Sequence, residues 1–190
     1  MKARVFSKID LRHGYYQVWI VEGDKKKTVI VTRYGIFEFL IMPFGLCNAP
    51  ATFCTLMNDV LHPYLDSFIL VYLDYIVVSS DNMEDHKKHL ALVFEALKKN
   101  QSYLKNSKCM FAKIEIPFLG HIVGQGYIRM EPNKVKAIED WVEPNNVHDR
   151  MVFLGMTNYQ QKFVEGYSKV TSSLTDLLKK DKRWSWTDKC

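Results

Sequence analysis

With 190 residues, 47% of them apolar and 13% aromatic, the chain can bury a core in one large domain or two small ones. Lys and Arg outnumber Asp and Glu by 26 to 21, a formal charge of +5 that suits a nucleic-acid partner without demanding one. Cys47, Cys54, Cys109 and Cys190 form no Cys-x-x-Cys pair and no zinc-like spacing with histidine, which excludes a zinc module.

Reduced thiols of an intracellular protein, three of them buried, are the expected state of those cysteines. There is no signal peptide and no apolar run of membrane length, so no membrane partner is expected, and the address is cytoplasm or nucleus. Met1-Lys2-Ala3-Arg4 leads straight into a strand, as if the chain began inside a domain.

Taken in chain order, residues 5–9 and 16–21 read as strands separated by the turn signal His13-Gly14. Residues 29–33 and 36–41 flank Tyr34-Gly35 as a hairpin. Asn48 and Pro50 open a helix whose buried stripe is Phe53, Leu56, Met57, Val60 and Leu61. Residues 68–73 and 76–80 are β-branched and aromatic, with Asp74-Tyr75 as the hairpin tip. A second helix over residues 84–99 buries Leu90, Val93, Phe94 and Leu97. This order of strands, helix, hairpin and helix predicts an α+β fold, helices laid on one face of an antiparallel sheet.

Beyond Asn100, residues 103–104 and 109–111 read as short edge strands, and residues 117–123 and 127–130 as a hairpin around Gly124-Gln125-Gly126. From Pro132 the pattern turns helical, with Val135, Ile138, Trp141 and Val142 on one stripe that Glu143-Pro144 stops. Asn146 caps the next helix, with Asp149 in the position of the capping-box acid. A last helix is expected over residues 171–180. The domain boundary falls at Pro132, giving a mixed sheet domain over residues 1–131 and a small helical one over 132–190.

Several motifs stand in register: Phe6-Ser7-Lys8-Ile9-Asp10-Leu11-Arg12-His13-Gly14-Tyr15, Tyr34-Gly35-Ile36-Phe37-Glu38-Phe39, and Met42-Pro43-Phe44-Gly45-Leu46-Cys47-Asn48-Ala49-Pro50-Ala51-Thr52-Phe53. Tyr72-Leu73-Asp74, Phe118-Leu119-Gly120-His121 and Phe153-Leu154-Gly155 continue the series. Together they resemble the reverse transcriptases of gypsy-like LTR retrotransposons across essentially the whole chain.

That resemblance implies a right-hand polymerase palm followed by a small helical thumb. The fingers are expected to be missing, and the chain is expected to stop, at Trp186-Thr187-Asp188-Lys189-Cys190, short of a ribonuclease H region. Asp10 and Asp74 would be the catalytic carboxylates, holding two Mg2+ ions with help from the Leu11 carbonyl for nucleotidyl transfer. Tyr15 would be the ring that crowds the 2′ position of the incoming sugar. Phe44 and Gly45 would lie against the nucleotide, Gly45 because a missing Cβ lets backbone approach a ligand. Phe118, Leu119, Gly120 and His121 would form the primer grip. The implied partners are an RNA or DNA template with its primer and deoxynucleotide triphosphates.

One departure dominates: Tyr75 stands where the family pattern has a second aspartate. A tyrosine is neutral at working pH and larger, so it neither replaces the charge nor leaves the metal its space. Asp66 and Asp81 are no substitutes; at about 3.3 Å per residue, Asp66 lies about 26 Å along the strand from Asp74. Lys25-Lys26-Lys27 reads as a solvated loop. The expected function is an RNA-directed DNA polymerase fragment impaired by Tyr75 and the absent fingers. The alternatives are an inactive remnant that binds nucleic acid and a non-functional fragment of a decayed element.

Overall fold

The computed structural model describes residues 3–179, which divide into two compact units: residues up to 118 with 123–127, and residues 119–122 with those from 128 onward. The elements run β1 (Val5–Asp10), β2 (Ile30–Thr32), β3 (Gly35–Phe37), α1 (Ala49–Leu61), β4 (Ile69–Tyr72), β5 (Tyr75–Ser80), α2 (Met83–Lys99) and β6 (Met110–Lys113). They continue as β7 (Glu115–Phe118), β8 (His121–Gly124), β9 (Tyr127–Met130), α3 (Pro132–Glu139), α4 (Val147–Asn158), α5 (Tyr167–Val170) and α6 (Ser172–Asp176).

The first unit is organised on a four-stranded sheet in the order β4-β5-β1-β6, paired antiparallel throughout. Alternation along a strand sends successive side chains to opposite faces. Ile9, Ile76 and Val78 therefore meet Phe53, Met57 and Leu61 of α1 and Val93 and Leu97 of α2 in the larger core. On the opposite face Phe6 and Val77 pack with Ile116 in a second cluster. The mixed α+β layout and the antiparallel sheet are as the sequence predicts. The buried stripe of α1 is narrower than predicted: Ala49, Phe53, Met57 and Leu61 are buried at strict four-residue spacing, while Leu56 is exposed.

Two predicted strands change. Residues 16–21 are not a strand. Gly14–Gln17 and Glu22–Thr28 are 3₁₀ turns, and only a Trp19–Ile41 bridge remains of the expected pairing. Tyr15 turns inward in that 3₁₀ turn to pack on the larger core, so tertiary packing overrides a β-rich composition. Residues 117–123 are two strands, not one, because Leu119 and Gly120, both at positive φ, fold the chain back between β7 and β8. Lys25 and Lys27 pair with Glu22 and Asp24 within their own 3₁₀ turn. No described cysteine is fully buried: Cys47 is exposed, Cys54 and Cys109 are half-buried, and Cys190 lies outside the described residues.

A polar cluster sits beneath the sheet where α2 crosses it. His86 is completely buried, its Nε2 2.7 Å from Ser7 Oγ and its Nδ1 2.8 Å from Ser80 Oγ. Ser80 Oγ also reaches His89 Nδ1 at 2.8 Å, and the His89 ring stacks on Phe68. Burial, and then the neighbouring His89, holds His86 below the ordinary imidazole range. A histidine harder to protonate when folded contributes stability that is complete above its unfolded pKa of about 6.5 and is lost as pH falls below it. The melting temperature should therefore drop as pH is lowered from about 6.5 to 5. His86→Gln should melt lower but lose much of that pH dependence; an unchanged pH profile in thermal unfolding would remove His86 as its source.

In the second unit, the Asn146 side chain accepts from the Asp149 N–H at 2.9 Å and donates to the Asp149 carboxylate at 2.8 Å, the reciprocal cap that the spacing predicts for α4. The same motif recurs unpredicted at Asn82 and Asp85, which opens α2. The predicted α3 stripe is cut short: the helix ends at Glu139, and Val142 is exposed. The predicted last helix over residues 171–180 is the short α6, with the separate, unpredicted α5 before it, and its end at Lys180 lies outside the described residues. Among the described residues no helix is long and apolar enough to cross a membrane.

Candidate active site

Asp10 is the last residue of β1 and Asp74 sits in the turn that joins β4 to β5. The tip of that hairpin is Leu73-Asp74, one residue earlier than predicted, with Leu73 in the left-handed region at φ 52°. Tyr75 is thereby drawn into β5, opposite Tyr72 on one side and opposite Asp10 on the other. The Leu11 N–H donates to the Asp74 carbonyl at 3.2 Å, stitching the two acidic segments together. Leu11 is itself buried, in a bridge to Leu104.

Burial is the main influence on Asp74 and raises its carboxyl above the usual range; its own backbone N–H opposes this, Asp10 adds to it, and Lys108 and Lys8 pull it back. Two carboxylates within each other's field, with two lysines beside them, is the electrostatic signature of the site.

Residues directly opposite in an antiparallel pair project to the same face, so Tyr75 shares a face with Asp10. Lys8, two residues before Asp10, shares it too, and its ammonium lies 5.1 Å from the centre of the Tyr75 ring. Lys8 was legible from strand alternation alone.

Cys109 is a further unpredicted participant. The sulfur accepts from the Asp10 N–H at 3.4 Å, while the Lys105 N–H donates to the Asp10 carbonyl at 2.9 Å. This arises because β6 carries one extra residue against β1 between Phe6 and Lys8, with Ala112 at φ 51° donating its N–H to Ser7 Oγ. Past this bulge the ladder is irregular, and the Cys109 side chain joins the Lys105 backbone in holding the strand end.

Tyr15 packs against Phe44 at 5.0 Å between ring centres and edge-on against Phe53 at 5.3 Å. Burial first, then the charge of Asp74, raises its phenol pKa. Asp10, Asp74, Tyr15 and Phe44 are thus brought together. Phe44 is exposed on its free side, and Gly45 has φ 98°, a backbone state closed to most side chains, with open space where a Cβ would point.

Phe118 packs with the Ile116 cluster of the first unit. Leu119, Gly120 and His121 belong to the second unit, where the Tyr159 hydroxyl donates to the Leu119 carbonyl at 2.5 Å. The His121 ring stacks on Tyr159 at 5.2 Å and meets Phe163 edge-on. Its Nδ1 is buried without a hydrogen-bond partner among the described residues, and burial, then Lys162, lowers its pKa.

A strand-end aspartate beside a hairpin-tip aspartate on an antiparallel sheet defines a class, and comparison gives its name. Residues 1–123 match the family described as Reverse transcriptase (RNA-dependent DNA polymerase), and the chain belongs to it. It is 41% identical over 179 residues to the retrovirus-related Pol polyprotein from transposon 297 of Drosophila melanogaster, covering 94% of this chain and 17% of that protein. It is 35% identical over 184 residues to the transposon Tf2-3 polyprotein of Schizosaccharomyces pombe, covering 96% of this chain and 14% of that protein. The chain therefore spans less than one fifth of these relatives.

Among solved structures, a foamy viral protease–reverse transcriptase in complex with double-stranded DNA superposes with a TM-score of 0.91 at 24% identity, covering 99% of this chain and 33% of that one. Another, in complex with an RNA/DNA hybrid, gives 0.87 at the same identity, covering 99% of this chain and 26% of that one. These likenesses establish the fold.

Proposed function

We propose that this chain is the palm and thumb portion of a retrotransposon reverse transcriptase, built to hold a primer on an RNA or DNA template, with its nucleotidyl-transfer chemistry impaired by Tyr75. The observation that carries this reading is the register: Tyr75 lies directly opposite Asp10, one residue after Asp74. Mg2+ ions, when bound in such sites, activate the attacking oxygen and stabilise the leaving pyrophosphate. Here Asp10, Asp74 and the Leu11 carbonyl would be the oxygen donors, and no cluster of three acidic, histidine or cysteine side chains able to hold a metal exists among the described residues. These residues do not fit a pair of ions.

The rest of the site keeps its uses. Tyr15, braced by Phe44 and Phe53, crowds the sugar of a deoxynucleotide, and the exposed ring of Phe44 beside Gly45 offers it a surface. The turn of Phe118, Leu119, Gly120 and His121 positions the primer end. The foamy viral structures bound to duplexes support this choice of partner. A second reading, a remnant that binds nucleic acid without chemistry, is favoured by Tyr75 itself.

Both readings require a duplex grip through phosphate contacts. With about six such contacts, affinity for a labelled RNA–DNA primer–template should fall by roughly a thousandfold between about 50 and 200 mM salt. Fluorescence anisotropy measures this directly. Absence of binding at low salt, or an affinity indifferent to salt, would overturn the proposal.

A further inference from the structure

Lys8 and Tyr75 form a pair that neither residue suggests alone. In the β1–β5 register Asp10 faces Tyr75 and Lys8 faces Val77, so Lys8 and Tyr75 are diagonal neighbours on one face. Diagonal positions are within reach of long and aromatic side chains. The Lys8 ammonium lies 5.1 Å from the centre of the Tyr75 ring, inside the range over which a cation is attracted to an aromatic face. Lys8 is half-buried, and its charge is felt by Asp74.

The charges near the carboxylates can be followed by name. Asp10 and Asp74 supply two negative charges, and Lys8 and Lys108 are the cations that act on Asp74. Asp10 acts on Asp74 more strongly than either lysine, and burial more strongly still, so the carboxyl stays raised. An aspartate at position 75 would add a third carboxylate and would remove the ring that holds the ammonium in place. Tyrosine does the reverse on both counts.

We propose that Lys8, held on the Tyr75 ring, is the resident cation of this site: it supplies beside Asp10 and Asp74 positive charge that a divalent ion would otherwise bring, and it competes with divalent ions for the pair. This rests on the reading of Asp10 and Asp74 as the family's carboxylates. Lys8 is then a specificity-setting residue for metal, and Tyr75 does more than omit a ligand. The lysine and the tyrosine act as one unit, because an ammonium released from the ring is free to swing into solvent.

Mn2+ titration of the purified chain, followed by loss of the free-ion electron paramagnetic resonance signal, tests this without any reaction. Tyr75→Asp should tighten Mn2+ binding by about tenfold or more. Lys8→Gln should tighten it by several-fold, and Tyr75→Phe, which keeps the ring, should leave it unchanged. Adding Asp10→Asn to either tightened variant should abolish the gain. Equal Mn2+ affinity in the unaltered chain, Tyr75→Asp and Lys8→Gln would overturn the proposal, as would two tightly held ions in the unaltered chain.

Should a variant lose its fold, the unaltered chain still decides the matter. The Lys8 ε-methylene protons should resonate upfield under the ring current of Tyr75, and an ordinary shift would sink the pairing. The polymerase reading fails separately: tightened Mn2+ binding in Lys8→Gln without primer binding would leave the resident lysine standing and remove the reverse transcriptase role.

Discussion

Phe53→Ala destabilises the first unit by about 3–5 kcal/mol, the largest loss expected from any single side chain near the site. Phe53 is almost completely buried on α1, and its ring closes the larger core against Tyr15. The backbone beside Tyr15 comes close as well: a Cβ added at Gly14 would stand 2.8 Å from the tip of the Phe53 ring. The 3₁₀ turn that presents Tyr15 is thus seated directly on Phe53, and loss of the ring leaves a cavity under it.

Gly14→Ala is the complementary test, because overpacking at this contact costs about 1–3 kcal/mol. Removing the ring should relieve that clash, so Gly14→Ala should cost much less in the Phe53→Ala background. Urea unfolding of the two single variants and the double variant measures the coupling. Additive losses would show that Gly14 and Phe53 do not constrain each other.

The parts of the fold visible in the sequence were those with a local cause. A β-rich run ending on Asp10 gives β1, and Asn146 followed by Asp149 gives a reciprocal cap. The hairpin tip was misplaced by one residue for a physical reason. A tight two-residue turn favours glycine or asparagine at positive φ, yet Leu73 occupies that position, and the β-rich Tyr72 and Leu73 read as one strand. The fold at Leu119-Gly120 was similarly hidden, since Gly120 was its only turn signal.

Residues 16–21 failed as a strand because the chain enters them through a 3₁₀ turn whose Tyr15 and Tyr16 pack on Phe44, with Tyr15 also on Phe53. In the site, Asp10, Asp74, Tyr15 and Phe44 were legible through the family motifs. Cys109 was not, because it reaches Asp10 from 99 residues away across a bulge that leaves no trace in composition.

Tyr75→Asp should raise Mg2+-dependent primer extension by about 100-fold or more, because removing even an outer partner of a metal costs about 10–100-fold and a direct carboxylate costs more. The side chain at position 75 lies opposite Asp10, so a carboxylate there would face the existing pair without any backbone change. It would also release Lys8 from its ring. Asp10→Asn in the same background should return extension to the baseline, which separates restored chemistry from a general gain in stability.

The most direct measurement is extension of a primer annealed to an RNA template, in Mg2+, by the unaltered chain, by Tyr75→Asp, and by Tyr75→Asp joined to the preceding reverse-transcriptase segment of a relative such as the transposon 297 polyprotein. The unaltered chain should extend the primer at least about 100-fold more slowly than Tyr75→Asp, and the joined Tyr75→Asp protein should extend it readily. Extension by the unaltered chain at the rate of Tyr75→Asp, or failure of the joined protein to extend at all, would contradict it.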